Sequence, residues 1–245
     1  FGADLGAEKF LDIKCGYSGL SPKTVVIVAT VRALKYHGGV SLKELTTENL
    51  EALEKGLSNL DKHIENMQGF GLPVVVAINK FISDTDAEVN LIKKHVESLG
   101  ERAEISEGWE KGGAGTLNLA RAVVESIASC KTTYKPVYQW DESIEEKITK
   151  VATHIYGADG VEFSLKAKRQ MNRINQLGMN NLPICIAKTQ KSLSDNDKLL
   201  GRPDYFRLNV REFEFAAGAG FIIPITGNML RMPGLPGTPA AEGID

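Results

Sequence analysis

Two β-branched runs, "KTVVIVATV" and "PVVVAIN", flank a stretch in which Leu50, Leu53, Leu57, Leu60, Ile64 and Met67 recur at alternating steps of three and four. Continuous apolar runs are the signature of strands buried on both faces, and the alternating steps are the stripe of an amphipathic helix. The pattern predicts a helix entered from Thr46-Thr47 and closed by Gly69, which completes a strand–helix–strand unit. A second helix is expected from Asp84 to about Leu99, stopping at Gly100. A short strand near "RAEIS", a glycine loop "GWEKGGAG" and a helix through "LNLARAVVESIA" continue the alternation. Strands that alternate with helices predict an α/β fold with a parallel sheet.

The rhythm changes after Lys131. "KTTYKPVYQWD" reads as a linker or an edge strand. Two helices then carry Ile144, Ile148, Val151 and Ile155, followed by Leu165, Met171, Ile174 and Leu177, with Gly178 as a C-terminal cap. From Leu182 the chain reads as three strands, "LPICIA", "YFRLNVREFEF" and "AGFIIPIT", before a tail "MPGLPGTP". These patterns predict an α/β domain over 1–131 and a smaller α+β domain over 132–245.

Composition narrows the function classes. The 29 Lys and Arg against 31 Asp and Glu give a net charge of -2 without long blocks of one sign. Nucleic acid and anionic membrane are therefore not expected partners. Cys15, Cys130 and Cys185 are odd in number and far apart, which suits a reducing cytoplasm better than a disulfide framework and suggests no metal site. The longest apolar runs fall far short of the roughly 18 residues that span a bilayer. The chain opens at Phe1 and has its first methionine at Met67, so it is expected to be part of a longer protein.

In an open parallel sheet, ligands bind beyond the carboxyl ends of the strands. Asn79, Lys80 and Phe81 follow one strand, and Glu107, Gly108 and Trp109 follow the next. Right-handed crossovers bring both exits to the same sheet edge. Phe81 and Trp109 then form a slot for a flat heterocycle, each stacking contact adding about 0.5–1.5 kcal/mol beyond burial. Core packing is the competing use of Phe81. Glycines 108, 112, 113 and 115 would let backbone approach such a ligand. Asn79-Lys80 is similar to the base-reading Asn-Lys-x-Asp of GTP-binding proteins, but Asp84 lies two positions too late, and Asp84-Thr85 serves equally as a helix cap. No Gly-Lys dipeptide of a phosphate loop occurs in the 245 residues. "FGADLGAEKF" reads as a tight loop against an anion or another backbone, and "AKTQKSLSDN" as a polar loop after a strand. His37, His63, His95 and His154 show no metal-ligand spacing.

Taken together, "FGADLGAEKF", "VVIVATVRALKYHGG", "TENLEALEKGLSNLDKHI", "LPVVVAIN" with the following Phe81 and Asp84-Thr85, "WEKGGAG", "LPICIAKTQKSLS", "AGAGF" and "MPGLP" resemble formate–tetrahydrofolate ligases of the bacterial single-function type, from Phe1 to the tail. The resemblance implies the C-terminal part of a P-loop-type parallel-sheet nucleotide-binding domain, followed by the smaller α+β domain. It implies ATP with Mg²⁺ as a substrate, formate activated as formyl phosphate, and transfer of the formyl group to N10 of tetrahydrofolate, giving 10-formyltetrahydrofolate, ADP and phosphate without a tightly bound cofactor. It also implies a cytoplasmic homo-oligomer, a tetramer in the family. Phe81 and Trp109 would be the walls that stack the pterin, with Ile105 as an apolar contact beside it. Phe1 and Gly6 would border the formyl phosphate and folate cavity, Gly6 through its backbone amide, and Arg202-Pro203 would lie along the adenine. The phosphate-binding and catalytic residues are expected upstream of Phe1, leaving these 245 residues inactive alone. Ile82-Ser83 departs from the proline expected there. A GTPase-like regulatory module around Asn79-Lys80 and a scaffold or oligomerisation piece are the competing readings.

Overall fold

The computed structural model describes residues 2–129, 131–227, 238 and 242. Helix α1 (Ala3–Lys9) continues through a π-helical stretch, Phe10–Cys15, into the short α2 (Gly16–Ser18). The "FGADLGAEKF" segment is thus helical from Ala3 and not the loop read from its glycines. Ala, Leu, Glu and Lys are strong helix formers, and Asp4 in the first turn complements the positive end of the helix dipole. Strand β1 (Val25–Ala29) leads into α3 (Val31–His37), and α4 (Leu50–Gly69) into β2 (Val74–Asn79). Then come α5 (Asp86–Ser98), β3 (Arg102–Ser106), the single turn α6 (Gly108–Lys111), a 3₁₀ turn over Gly112–Thr116, and α7 (Leu117–Ser129). The three strands pair in the order β1-β2-β3, all parallel, with Ala29 beside Ile78 and Ile78 beside Ile105.

Caps set the helix starts. Asn49, not Thr46-Thr47, opens α4, its side chain accepting from Ala52 N at 3.0 Å. Thr85 opens α5 through a reciprocal capping box with Glu88. The expectation that β1 is buried on both faces does not hold: Val28 is 64% exposed and Val26 39%. β1 is an edge strand, and α7 lies over β2 and β3, so one face of β1 is left open.

After residue 131 the chain first docks backward. Thr133 N donates to Gly71 O, Lys135 N to Phe70 O, and the Tyr134 hydroxyl to Leu11 O, so "KTTYKPVYQWD" packs along the first half without forming a strand. Gly71 has φ +75°, and a Cβ there would lie 2.4 Å from Thr133 O, so only glycine permits this approach. Helix α8 (Ile144–Lys150) runs on as a π-helical stretch, Val151–Tyr156. A four-residue strand that the sequence pattern did not announce, β4 (Gly160–Phe163), precedes α9 (Leu165–Gln176). Gly178, at φ +68°, follows α9 as anticipated. β5 (Arg207–Ala216) pairs parallel with β4 and antiparallel with β6 (Phe221–Thr226).

"LPICIA" makes only isolated parallel bridges to β6, at Ile184 and Ala187. Ile222 N donates to Pro183 O and Thr226 N to Ala187 O, but the intervening position is Pro224, which has no N–H to give. The ladder is broken by chemistry, although the segment lies where a strand would. The tail "MPGLPGTP" lies outside the described residues except Thr238.

One apolar cluster extends from Leu11 and Leu53 through Val76 and Ile78 to Ile148, Leu208 and Ile222, so both sheets share a core. No helix among the described residues is long and apolar enough to cross a membrane. Buried beside this core, Lys35 Nζ of α3 meets Glu88 Oε1 of α5 at 2.8 Å, both side chains fully enclosed, and also donates to Thr47 O at 2.9 Å. Burial works to raise the Glu88 pKa, but hydrogen bonds from Lys35, Thr85 N and Asn49 N outweigh it and hold the carboxylate below its ordinary value. Lys35→Met strands this carboxylate in the interior and should lower stability by about 3–5 kcal/mol in chemical denaturation. The Lys35→Met/Glu88→Met pair should recover most of that loss; a single variant as stable as wild type would contradict the role assigned to the pair.

Candidate functional site

Three strand exits meet along the carboxyl edge of the parallel sheet. β1 gives way to Thr30 and Arg32, β2 to Lys80 and Phe81, and β3 to Glu107 and Trp109. The pairing of Asn79 with Ser106 and the hydrogen bond from Lys80 N to Ser106 O align the last two exits.

Phe81 starts a tight turn. Asp84 N donates to Phe81 O at 3.0 Å, and Phe81 N donates to Asp84 Oδ2 at 2.8 Å. The carboxylate that a guanine-reading site would need free is therefore buried in its own turn, and Thr85 alone caps the helix. Lys80 Nζ is held by Asp86 at 2.9 Å, a hydrogen bond that raises the lysine's pKa. The Arg32 guanidinium carbon lies 4.6 Å from the centroid of the Phe81 ring, so one face of the phenyl is already covered by a cation.

Trp109 sits in the first turn of α6 and is 87% exposed. The segment read as a glycine loop is a helical turn followed by a 3₁₀ turn, closed where Glu107 N donates to Gly115 O at 3.1 Å. A Cβ on Gly115 would stand 2.5 Å from Glu107 O, so this glycine serves the closure that projects Trp109 rather than an approach to ligand. Lys111 and Glu107 pair across the same turn at 2.6 Å. Ile105, on β3, is half-buried directly beside Ile78.

The remaining candidates lie farther away. Gly6 is exposed within α1, and its amide donates to Gly2 O at 3.0 Å, so the N–H assigned to ligand contact is spent inside the helix. Phe1 lies outside the described residues. Arg202 is clamped by Glu65 through two hydrogen bonds, 2.7 and 2.8 Å, and Pro203 is half-buried next to it. Asn59 and His37 fix this segment through Gly201, His37 Nδ1 accepting from Gly201 N. That places Arg202 near the C-terminal end of α3, about 7.5 Å along the helix from Arg32.

Several participants were not evident in the sequence. Tyr205 is 94% exposed at φ +56°, the single non-glycine left-handed residue among those described, two positions from Pro203. "AKTQKSLSDN" is the polar loop expected, but part of it is enclosed: Lys188 is buried, meets Asp4 Oδ2 at 3.0 Å and stands 4.9 Å above the Tyr156 ring. Asp4, Glu8 and Asp12 recur every four residues on one helical face and are all buried. That spacing was the signal that could have revealed them. Burial pushes the Glu8 carboxyl up, and burial together with the neighbouring Glu8 pushes Asp12 up to about 9. Asp12 also accepts from Val137 N at 2.8 Å, joining α1's continuation to the segment after residue 131.

A parallel α/β sheet whose strand exits carry an aromatic turn and a projecting tryptophan places the fold in the open-sheet α/β class, whose ligands bind beyond the carboxyl ends of the strands. The family described as formate–tetrahydrofolate ligase matches residues 1–245, and the chain belongs to that family. Its members are carbon–nitrogen ligases, with formate, tetrahydrofolate and ATP as substrates.

The acidic face of α1 gives a pH signature. A carboxyl titrating near 9 when folded and about 4 when unfolded retains in the native state a proton that the unfolded chain releases. Stability should therefore fall as pH rises from about 4 through about 9. Asp12→Asn should flatten that slope in denaturation midpoints measured across the range; an unchanged slope would mean that Asp12 does not hold the proton.

Proposed function

We propose that this chain supplies the folate-orienting part of a ligase that activates formate with Mg²⁺-ATP as formyl phosphate and transfers the formyl group to N10 of tetrahydrofolate. The observation that carries the reading is the pair of aromatic side chains at adjacent exits of one parallel sheet. Phe81 is half-buried and backed by Arg32, while Trp109 stands almost wholly in solvent. A large exposed indole on a single closed turn is poor core material and a good stacking surface. Ile105 contributes apolar surface beside these walls, and Arg202-Pro203, with Tyr205 beside them, border the adenine.

Formyl phosphate is a reactive mixed anhydride. The enzyme's task is to exclude water and hold the attacking amine in line, and stacking supplies that orientation. With no Gly-Lys in these residues, the phosphate-binding lysine and the catalytic groups are supplied by sequence outside them. Residues 1–131 act as the nucleotide- and folate-binding α/β part and 132–245 as the α+β part, in a cytoplasmic homo-oligomer. Gly2, Ala3, Thr30, His37, His63 and Gln190 line a cleft of about 460 Å³ beside β1, which suits the formyl phosphate side of the folate cavity. The GTPase-like alternative loses support because Asp84 accepts from Phe81 N.

In a complete ligase, Trp109→Ala should raise the KM for tetrahydrofolate about tenfold while leaving the KM for ATP unchanged, and residues 1–245 assayed alone should give no turnover. An unaltered folate KM in steady-state assays would remove Trp109 from the pterin site.

A further inference from the structure

We propose that Arg32 is a positioning residue for the folate site, acting through Phe81; this rests on the reading of Phe81 as a pterin wall. Arg32 lies in the first turn of α3, where β1 leaves the sheet, and its guanidinium covers one face of the phenyl at 4.6 Å from the ring centroid. Its Nη2 donates to Ser83 Oγ at 3.1 Å, two residues beyond the ring it covers. The same helix holds the far end of that segment. Lys35, three positions on and on the same face of α3, grips Glu88, which in turn accepts from Thr85 N at 3.1 Å. The stretch from Phe81 to Glu88 is thus pinned to α3 at both ends.

Arg32 does more than fill space. Its Nε is buried without an acceptor among the described residues, so hydrogen bonding alone does not account for its placement. A cation over one face leaves the opposite face as the surface open to a heterocycle. It also removes the ring's freedom before ligand arrives, so that less side-chain entropy is lost on binding. Arg32 therefore contributes to folate affinity without touching the folate.

The test is a double-mutant cycle in a complete ligase, read by steady-state kinetics and melting temperature. Arg32→Met should raise the KM for tetrahydrofolate about three- to tenfold at unchanged KM for ATP, and Arg32→Lys, which keeps the charge but loses the fork to Ser83, should fall between. In a Phe81→Ala background Arg32→Met should add nothing further. If Phe81→Ala raises the folate KM and Arg32→Met does not, the positioning role is wrong and the pterin wall stands. An Arg32→Met effect that persists undiminished without the phenyl ring would likewise overturn it. Should Phe81→Ala itself leave the folate KM unchanged, the pterin reading and this proposal both fall. If Arg32→Met does not fold, Ser83→Ala takes its place in the cycle, with a smaller rise expected and the same outcomes deciding.

Discussion

In-register parallel pairing of β1, β2 and β3 is the constraint on which the site depends. Parallel strands send their carboxyl ends in one direction, so Arg32, Phe81 and Trp109, each two or three residues past its strand, arrive at a common edge from widely separated stretches of chain. β2 anchors the arrangement because its residues from Val74 to Ile78 are buried on both faces, and sliding the register by one position would turn every side chain of β1 and β3 over. The chemistry at the exits is then a matter of turns. The Phe81–Asp84 turn closes on itself, the Glu107–Gly115 closure lifts Trp109 outward, and the Lys35–Glu88 pair ties the first turn of α5 to α3.

The buried polar groups follow a division of labour. Lys35–Glu88 stabilises the edge where the aromatic residues stand, and the Asp4–Lys188 pair joins α1 to the loop that follows the bridge from Ala187 to β6. Lys147, fully buried, donates to the carbonyls of Trp140, Asn180 and Leu182 and meets no carboxylate among the described residues; burial lowers its pKa to about 8. Pairs and carbonyl cages of this kind are costly to break and specify one arrangement of elements. They explain how two sheets with different topologies share one core and keep the strand exits aligned.

Much of this was legible in the sequence because it depends on periodicity. The leucine stripe of α4, the buried β2, the alternation in β5 and the neighbouring exits of β2 and β3 follow from spacing and the handedness of crossovers. What escaped depends on contacts distant in sequence. The exposed face of β1 reflects where α7 comes to lie, and the broken ladder at "LPICIA" reflects a proline 37 residues past its counterpart Ala187. The helical form of "GADLGAEKF" was hidden because its glycines invite a loop reading, while the acids at steps of four carried the helical signal unnoticed. Arg32 could not be found from spacing, since its partner ring lies 49 residues away.

The most direct test of the central claim, that Phe81 and Trp109 bind a flat reduced heterocycle between adjacent strand exits, is a fluorescence titration of this chain with tetrahydrofolate. Excitation at the red edge selects the two tryptophans, Trp109 and Trp140, and Trp140 is half-buried against Tyr17. Saturable quenching and a blue shift of the emission from solvent-exposed Trp109 are expected, both lost in Trp109→Phe and retained in Trp140→Phe. Emission from Trp109 that is unchanged at saturating tetrahydrofolate would contradict that claim.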